Sequence, residues 1–137
     1  MTAFTVCVAL APDSAACYYN RGLAHAARGD AAAALRDYDR ALQLDPRLAA
    51  AALNRGALRL QQGHFAEAEA DFRLALEVGA DPAAVHYNRA LLCEARQDHA
   101  AALACLEQAL RHDPAHRPSL DLRARLGKPL PAVGPQR

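Results

Sequence analysis

The sequence predicts an all-α protein, a right-handed α-solenoid of helix-turn-helix repeats, on three observations. Motifs recur at a fixed 34-residue step, alanine dominates the composition, and helix breakers fall at matching intervals. Asn20-Arg21-Gly22 returns as Asn54-Arg55-Gly56 and again as Asn88-Arg89-Ala90. The same step relates Ala34, Ala68 and Ala102, the pairs beginning at Ala41, Ala75 and Ala109, and the bulky series Tyr38, Phe72 and Leu106. Three blocks follow, 15–48, 49–82 and 83–116, with residues 1–14 in front and 117–137 behind.

Taken in order, residues 1–14 read as the tail of a preceding second helix, because Phe4, Cys7 and Pro12 stand one step before Tyr38, Ala41 and Pro46. So short a helix is marginal in water without a partner. It is expected either to dock on block 15–48 or to belong to a longer array, with the Phe4 and Val8 face inviting self-association. In the first block a helix runs from Ala16 to Arg28 and ends at Gly29, and Asp30 caps the next. That second helix runs from Ala31 to Leu44 and stops at Asp45-Pro46. The middle block breaks at Gly63 and closes on Gly79-Ala80, after which Asp81-Pro82 open a new helix as cap and first residue. In the third block Gln97 stands where the turn glycine is expected, which is unfavourable if that backbone keeps φ > 0. Residues 117–127 read as a capping helix, and the Pro-rich 128–137 as a disordered tail.

Residue sizes supply the packing logic. Gly22, Gly56 and Ala90 let the first helix of a block approach the second, where Ala34, Ala68 and Ala102 are the small partners. Tyr38, Phe72 and Leu106 are expected to fill the space between neighbouring blocks. Aromatics make up 5% of the chain and Trp is absent, so small side chains must close the core.

Composition also excludes classes of function. A net charge of +1 lacks the electrostatic footprint of a non-specific nucleic-acid binder. No apolar run reaches the roughly 18 to 20 residues of a membrane span, and the start carries no basic signal-peptide region. Cys7, Cys17, Cys93 and Cys105 form no Cys-x-x-Cys pair. They are expected to be small buried hydrophobes of a reducing, cytoplasmic compartment. Nearly all basic residues are Arg, with Lys128 the only lysine, which together with the alanine excess hints at GC-rich coding and a bacterial source. The charge is uneven, with residues 117–137 net +4 and block 49–82 net −2. The plain reading is a solvated cap and tail, beside a contact with an acidic partner or RNA.

No catalytic constellation, cofactor site or metal site is expected. There is no phosphate-cradling glycine loop, no Gly-x-Ser-x-Gly and no His-Glu-x-x-His. Ser14 and Ser119 sit at helix boundaries as capping residues. His112 and His116 straddle the Asp113-Pro114 stop, so they share no helical face for a metal. His86 with Cys93 could form a nucleophile pair on paper, but a buried structural cysteine is the expected role.

The three blocks resemble the tetratricopeptide repeats. Block 15–48 carries nearly the whole pattern in Tyr18, Gly22, Ala34, Tyr38, Ala41 and Pro46. The other two depart from it at Gln97, at Gly79-Ala80, and at Ala52 and His86, where a bulky aromatic is usual. The resemblance implies a superhelix with a concave face that binds peptides, in some members through an asparagine ladder. It also allows a test for the chaperone-binding carboxylate clamp of Lys, Asn and Arg. Asn54 matches one clamp position, whereas Tyr19, Leu23, Ala84 and Asn88 occupy the others, so capture of an acidic C-terminal tail is not expected.

The candidate peptide-binding residues are therefore Asn20, Asn54 and Asn88 with Tyr19, Leu53 and Tyr87 beside them, and Arg21, Arg55 and Arg89 at the rim. Asn is a mediocre helix former, so its recurrence mid-helix needs a reason. One reason is structural, the amide joining adjacent helices. The other is functional, the amide holding a peptide backbone bidentately, as donor to C=O and acceptor from N–H. For the arginines the plainer role is to cover apolar surface with their stems and reach carboxylates with their heads. Leu23 and Leu91 are expected to belong to the core. The expected function is a protein-interaction module, not an enzyme, that binds a peptide segment of a partner. The alternatives are an oligomerisation scaffold and a fragment of a larger chain such as a bacterial signalling protein.

Overall fold

The computed structural model describes residues 3–127, so Met1, Thr2 and the tail 128–137 with Lys128 lie outside the described residues. Among the described residues all regular structure is helical. The first compact unit, Met1–Ala80, holds α1 (Ala3–Leu10), α2 (Ala15–Ala27), α3 (Ala31–Leu44), α4 (Ala49–Gln61) and α5 (Phe65–Glu77). The second, Asp81–Arg137, holds α6 (Pro82–Ala95), α7 (His99–His112) and α8 (Arg117–Gly127). Helices α2 with α3, α4 with α5 and α6 with α7 form antiparallel pairs, while α1 leans on α2 and α8 on α7.

The helix ends lie where breakers and caps put them. Ser14 Oγ accepts from Cys17 N at 3.2 Å, Asp30 Oδ1 from Ala33 N at 3.1 Å and Asp98 Oδ1 from Ala101 N at 3.1 Å, each satisfying an orphan donor of a first turn. Asp81 caps α6 with Pro82 in its first turn. Gly29 and Gly63 adopt φ of +82° and +81° just after α2 and α4, as a left-handed stop requires. The equivalent residue after α6 is Gln97, held at φ +62° without glycine's freedom. A side chain there costs about 1 kcal/mol relative to glycine.

Packing follows the size pattern at short range. Tyr38 and Phe72 are 1% and 0% exposed, and their rings lie directly over Gly22 and Gly56 of their own helix pair. A Cβ on Gly22 would sit 2.7 Å from Tyr38 Cε1, and one on Gly56 equally close to Phe72 Cε1. The third pair trades this fit for Ala90 against Leu106, both wholly buried. The large residues thus fill their own pair first. Tyr38 also reaches Leu58 on α4, so its contact with the next pair is real but secondary to the glycine notch.

Three expectations are corrected. Cys7 and Cys17 form a disulfide between α1 and α2, while Cys93 and Cys105 are not disulfide-bonded. Spacing within one helix does not show such a pair; the turn at Ala11–Ser14 folds α1 back until the two Cα atoms lie 5.6 Å apart. Leu23 is 37% exposed and so lies at the surface of α2, outside the core. Leu91 does pack against the Ala90, Ala102, Leu106 and Leu122 cluster of the second unit. Ser119 is not a cap either: it is fully buried in the first turn of α8, 2.7 Å from His116 Nδ1.

Candidate functional site

In the first unit Tyr19 of α2 and Asn54 of α4 meet. Asn54 Nδ2 donates to Tyr19 Oη at 3.0 Å and to the backbone oxygen of Ala50 at 2.9 Å. Both amide hydrogens are thereby taken within the chain, so Asn54 offers a ligand only its Oδ1. Tyr19 Oη accepts from Asn54 and keeps its own O–H to donate. Burial pushes the Tyr19 hydroxyl up, only partly opposed by the Asn54 hydrogen bond, so it is protonated at neutral pH. Its ring lies 6.0 Å from that of Tyr38, whose hydroxyl is pushed up to about 12 by burial, with Tyr19 and Asp37 adding to the rise. Asn20 on α2 and Leu53 on α4 are partly exposed, and Leu23 on α2 is exposed.

The arginines do something else. Arg21 forks onto Asp37 of α3, with Nε to Oδ2 at 2.8 Å and Nη2 to Oδ1 at 2.7 Å. Arg55 repeats the fork onto Asp71 of α5 at 3.0 and 2.7 Å and adds Nη1 to Asp39 of α3 at 2.9 Å. Arg59 Nη1 also reaches Asp71, at 2.8 Å. Asp37 and Asp71 are 4% and 2% exposed, so these are charge-assisted bonds inside the helix pairs. The hydrogen bonding of Arg21 to Asp37 is the largest influence holding the Arg21 guanidinium above its usual range. The two aspartates were not candidates from sequence, although they stand 34 residues apart and each lies 16 residues after its arginine. In the third block that place is Cys105, so Arg89 has no counterpart aspartate at the repeat position.

In the second unit α6 carries Tyr87 and Asn88. Asn88 Nδ2 donates to Ala84 O at 2.9 Å, which leaves one amide hydrogen and Oδ1. The Tyr87 ring meets the His116 ring edge to face at 5.8 Å. His86 turns the other way, 5% exposed and stacked on His112 at 5.7 Å with an 11° interplanar angle. Burial pulls its imidazole down, helped by Arg89 and His112, and its Nδ1 has no hydrogen-bond partner among the described residues. His112 and His116 thus serve different contacts. No group of three His, Cys, Asp or Glu residues among the described residues could hold a metal ion.

Helix pairs at a 34-residue step, with a small residue facing a large one in each, are a repeat signature, and the family comparison agrees. The tetratricopeptide repeat profile matches residues 15–48 and again 83–116. The chain belongs to the tetratricopeptide repeat family. Among curated proteins no match was found.

Several solved structures share the tetratricopeptide fold. A tetratricopeptide repeat protein from Parabacteroides merdae superposes with a TM-score of 0.80 at 24% identity, over 90% of this chain and 48% of that one. YrrB, described as a tetratricopeptide repeat protein with an unusual peptide-binding site, gives 0.75 at 24% identity over 86% of this chain and 61% of its own. The second such domain of human RPAP3, in complex with the HSP70 peptide SGPTIEEVD, gives 0.72 at 20% identity over 82% and 93%. This chain therefore spans about half the length of the first of these and under two thirds of the second. No helix among the described residues is long and apolar enough to cross a membrane.

Proposed function

We propose that this chain is a protein-interaction module that holds an extended, uncharged peptide segment of a partner against the α2–α4 face. The observation that carries the reading is the Asn54–Tyr19 hydrogen bond, 3.0 Å long. It leaves the Tyr19 O–H as a donor and Asn54 Oδ1 as an acceptor, side by side on adjacent helices. A peptide unit presents one C=O and one N–H, so the pair can serve it bidentately, a role that Asn54 alone no longer fills. Leu53 and Leu23 supply apolar contact for side chains on either side. In the second unit Tyr87 and Asn88 offer the same donor and acceptor types, and Asn20 adds a third amide on α2.

Charge supports an uncharged ligand. Arg21, Arg55 and Arg59 are neutralised by Asp37, Asp39 and Asp71, so no guanidinium of that set is available for a carboxylate. These arginines hold the helices that present the site; they are positioning residues. Arg89 on α6 shares the repeat position of Arg21 and Arg55.

The test is a panel of ten-residue peptides, uncharged with alternating apolar residues, titrated against the wild-type chain beside SGPTIEEVD. The uncharged peptides are expected to bind more tightly than the acidic one. Asn54→Ala is expected to weaken them about fivefold, the worth of one hydrogen bond near 1 kcal/mol. Unchanged affinity with a lowered melting temperature makes the Asn54 amide purely structural and ends the reading. A second reading, a scaffold assembling through α1, is favoured by its apolar surface, where Phe4 and Val6 are 40% and Leu10 81% exposed. Under it the chain alone changes its sedimentation on dilution, without any peptide.

A further inference from the structure

Helix α1 has eight residues and none of them is buried. A helix of that length does not hold its conformation in water by itself, and Thr5, Cys7 and Val8 are its half-buried residues. The covalent tie between α1 and α2, beyond the backbone turn Ala11–Ser14, is the Cys7–Cys17 disulfide. Cys17 is 6% exposed in the face of α2 that α1 covers, whereas Cys7 is only partly buried.

We propose that this disulfide is a redox latch: oxidised, it clamps α1 over α2; opened by a dithiol reductant, it releases α1 and uncovers the Cys17 face of α2. The chemistry starts at the more accessible sulfur. A thiolate of the reductant attacks Cys7 Sγ, the Cys7–Cys17 bond breaks, and Cys17 leaves as a thiolate that takes a proton from water. The second thiol of the reductant then attacks its own sulfur in the mixed disulfide. Cys7 is released as a thiolate and protonated, and the dithiol departs as a disulfide. The chain gains two electrons and two protons, and the reductant loses them.

The latch is effective because the bond closes a short loop, 10 residues in sequence separation, onto a helix with no fully buried residue. Cross-linking such a loop shifts the balance of docked over free α1 by roughly a hundredfold. Cys93 and Cys105 lie in the second unit, so they are not partners in this cycle.

Amide hydrogen exchange on the full chain, followed by mass spectrometry, tests the latch. A Cys93→Ala, Cys105→Ala background leaves Cys7 and Cys17 as the only thiols. After reduction with dithiothreitol, residues 3–10 are expected to exchange roughly a hundredfold faster, with α6 and α7 unchanged. A Cys7→Ser variant is expected to exchange fast in that segment under both conditions, with the circular dichroism of a folded chain. Equal protection of residues 3–10 in the oxidised and reduced chains overturns the proposal. So does a thiol titration that finds both cysteines free after equilibration with oxidised dithiothreitol.

Discussion

Asp71→Ala is expected to destabilise the chain by about 2 to 3 kcal/mol, the largest loss for any single polar side chain in the first unit. Asp71 is 2% exposed and accepts from Arg55 Nε, Arg55 Nη2 and Arg59 Nη1 at 2.7 to 3.0 Å. Its removal leaves two guanidinium groups facing each other without the carboxylate between them. Their side chains keep 17% and 21% exposure, so water recovers part of the loss and holds it below the full cost of a stranded buried charge. Asp121→Ala is the control. Its pair with Arg117 spans 3.4 Å between side chains 61% and 81% exposed, and its removal is expected to shift the melting curve hardly at all. Thermal unfolding followed by circular dichroism compares the two; equal shifts would show that Asp71 is no better integrated than a surface charge.

Gly56→Ala carries the second large effect, a loss of about 1 to 2 kcal/mol. The added methyl would meet Phe72 Cε1 at 2.7 Å, Phe72 Cδ1 at 2.9 Å and Asp71 Cβ at 3.0 Å. The Phe72 ring is fully buried and cannot swing aside, while alanine's better helix propensity returns up to about 1 kcal/mol and sets the lower bound. The protein contains the compensated version of this change, since its third helix pair sets Ala90 against Leu106. Combining Gly56→Ala with Phe72→Leu is therefore expected to cost less than the sum of the two single losses by about 1 kcal/mol or more. Denaturant midpoints of the four chains close that cycle. Strict additivity would mean that the notch over Gly56 does not select the ring above it.

The helix pairs were legible because their causes are local and repeat. Gly29, Gly63 and Pro46 mark breaks through backbone conformation alone, and the alternation of Gly22 with Tyr38 is a matter of side-chain volume. The 34-residue step then multiplies each weak signal. Gln97 shows that a turn keeps its geometry after losing the residue that favours it, because the helices on either side fix the ends. The site was less legible. Asn54 and Tyr19 are 35 residues apart, and nothing in either segment announces that the tyrosine would occupy one of the amide's hydrogens. Asp37 and Asp71 recur in step with Arg21 and Arg55, yet charged residues on a helix are ordinarily solvated. Only the crossing of two helices turns that recurrence into a buried fork. The Cys7–Cys17 bond depends on the angle at which one short turn reverses the chain, which spacing does not encode.

Arg55 is bonded to α3 through Asp39 and to α5 through Asp71 while standing on α4. One planar group therefore ties a helix pair to the pair before it as well as holding its own two helices together. Stacked repeats ordinarily fray from an end, one pair at a time. With this guanidinium spanning the seam, loosening α3 strips Arg55 of one partner and weakens α5 in the same event. Helices α3, α4 and α5 are thereby coupled, so the placement of Asn54 on α4 depends on that seam staying closed, whether or not α1 is docked.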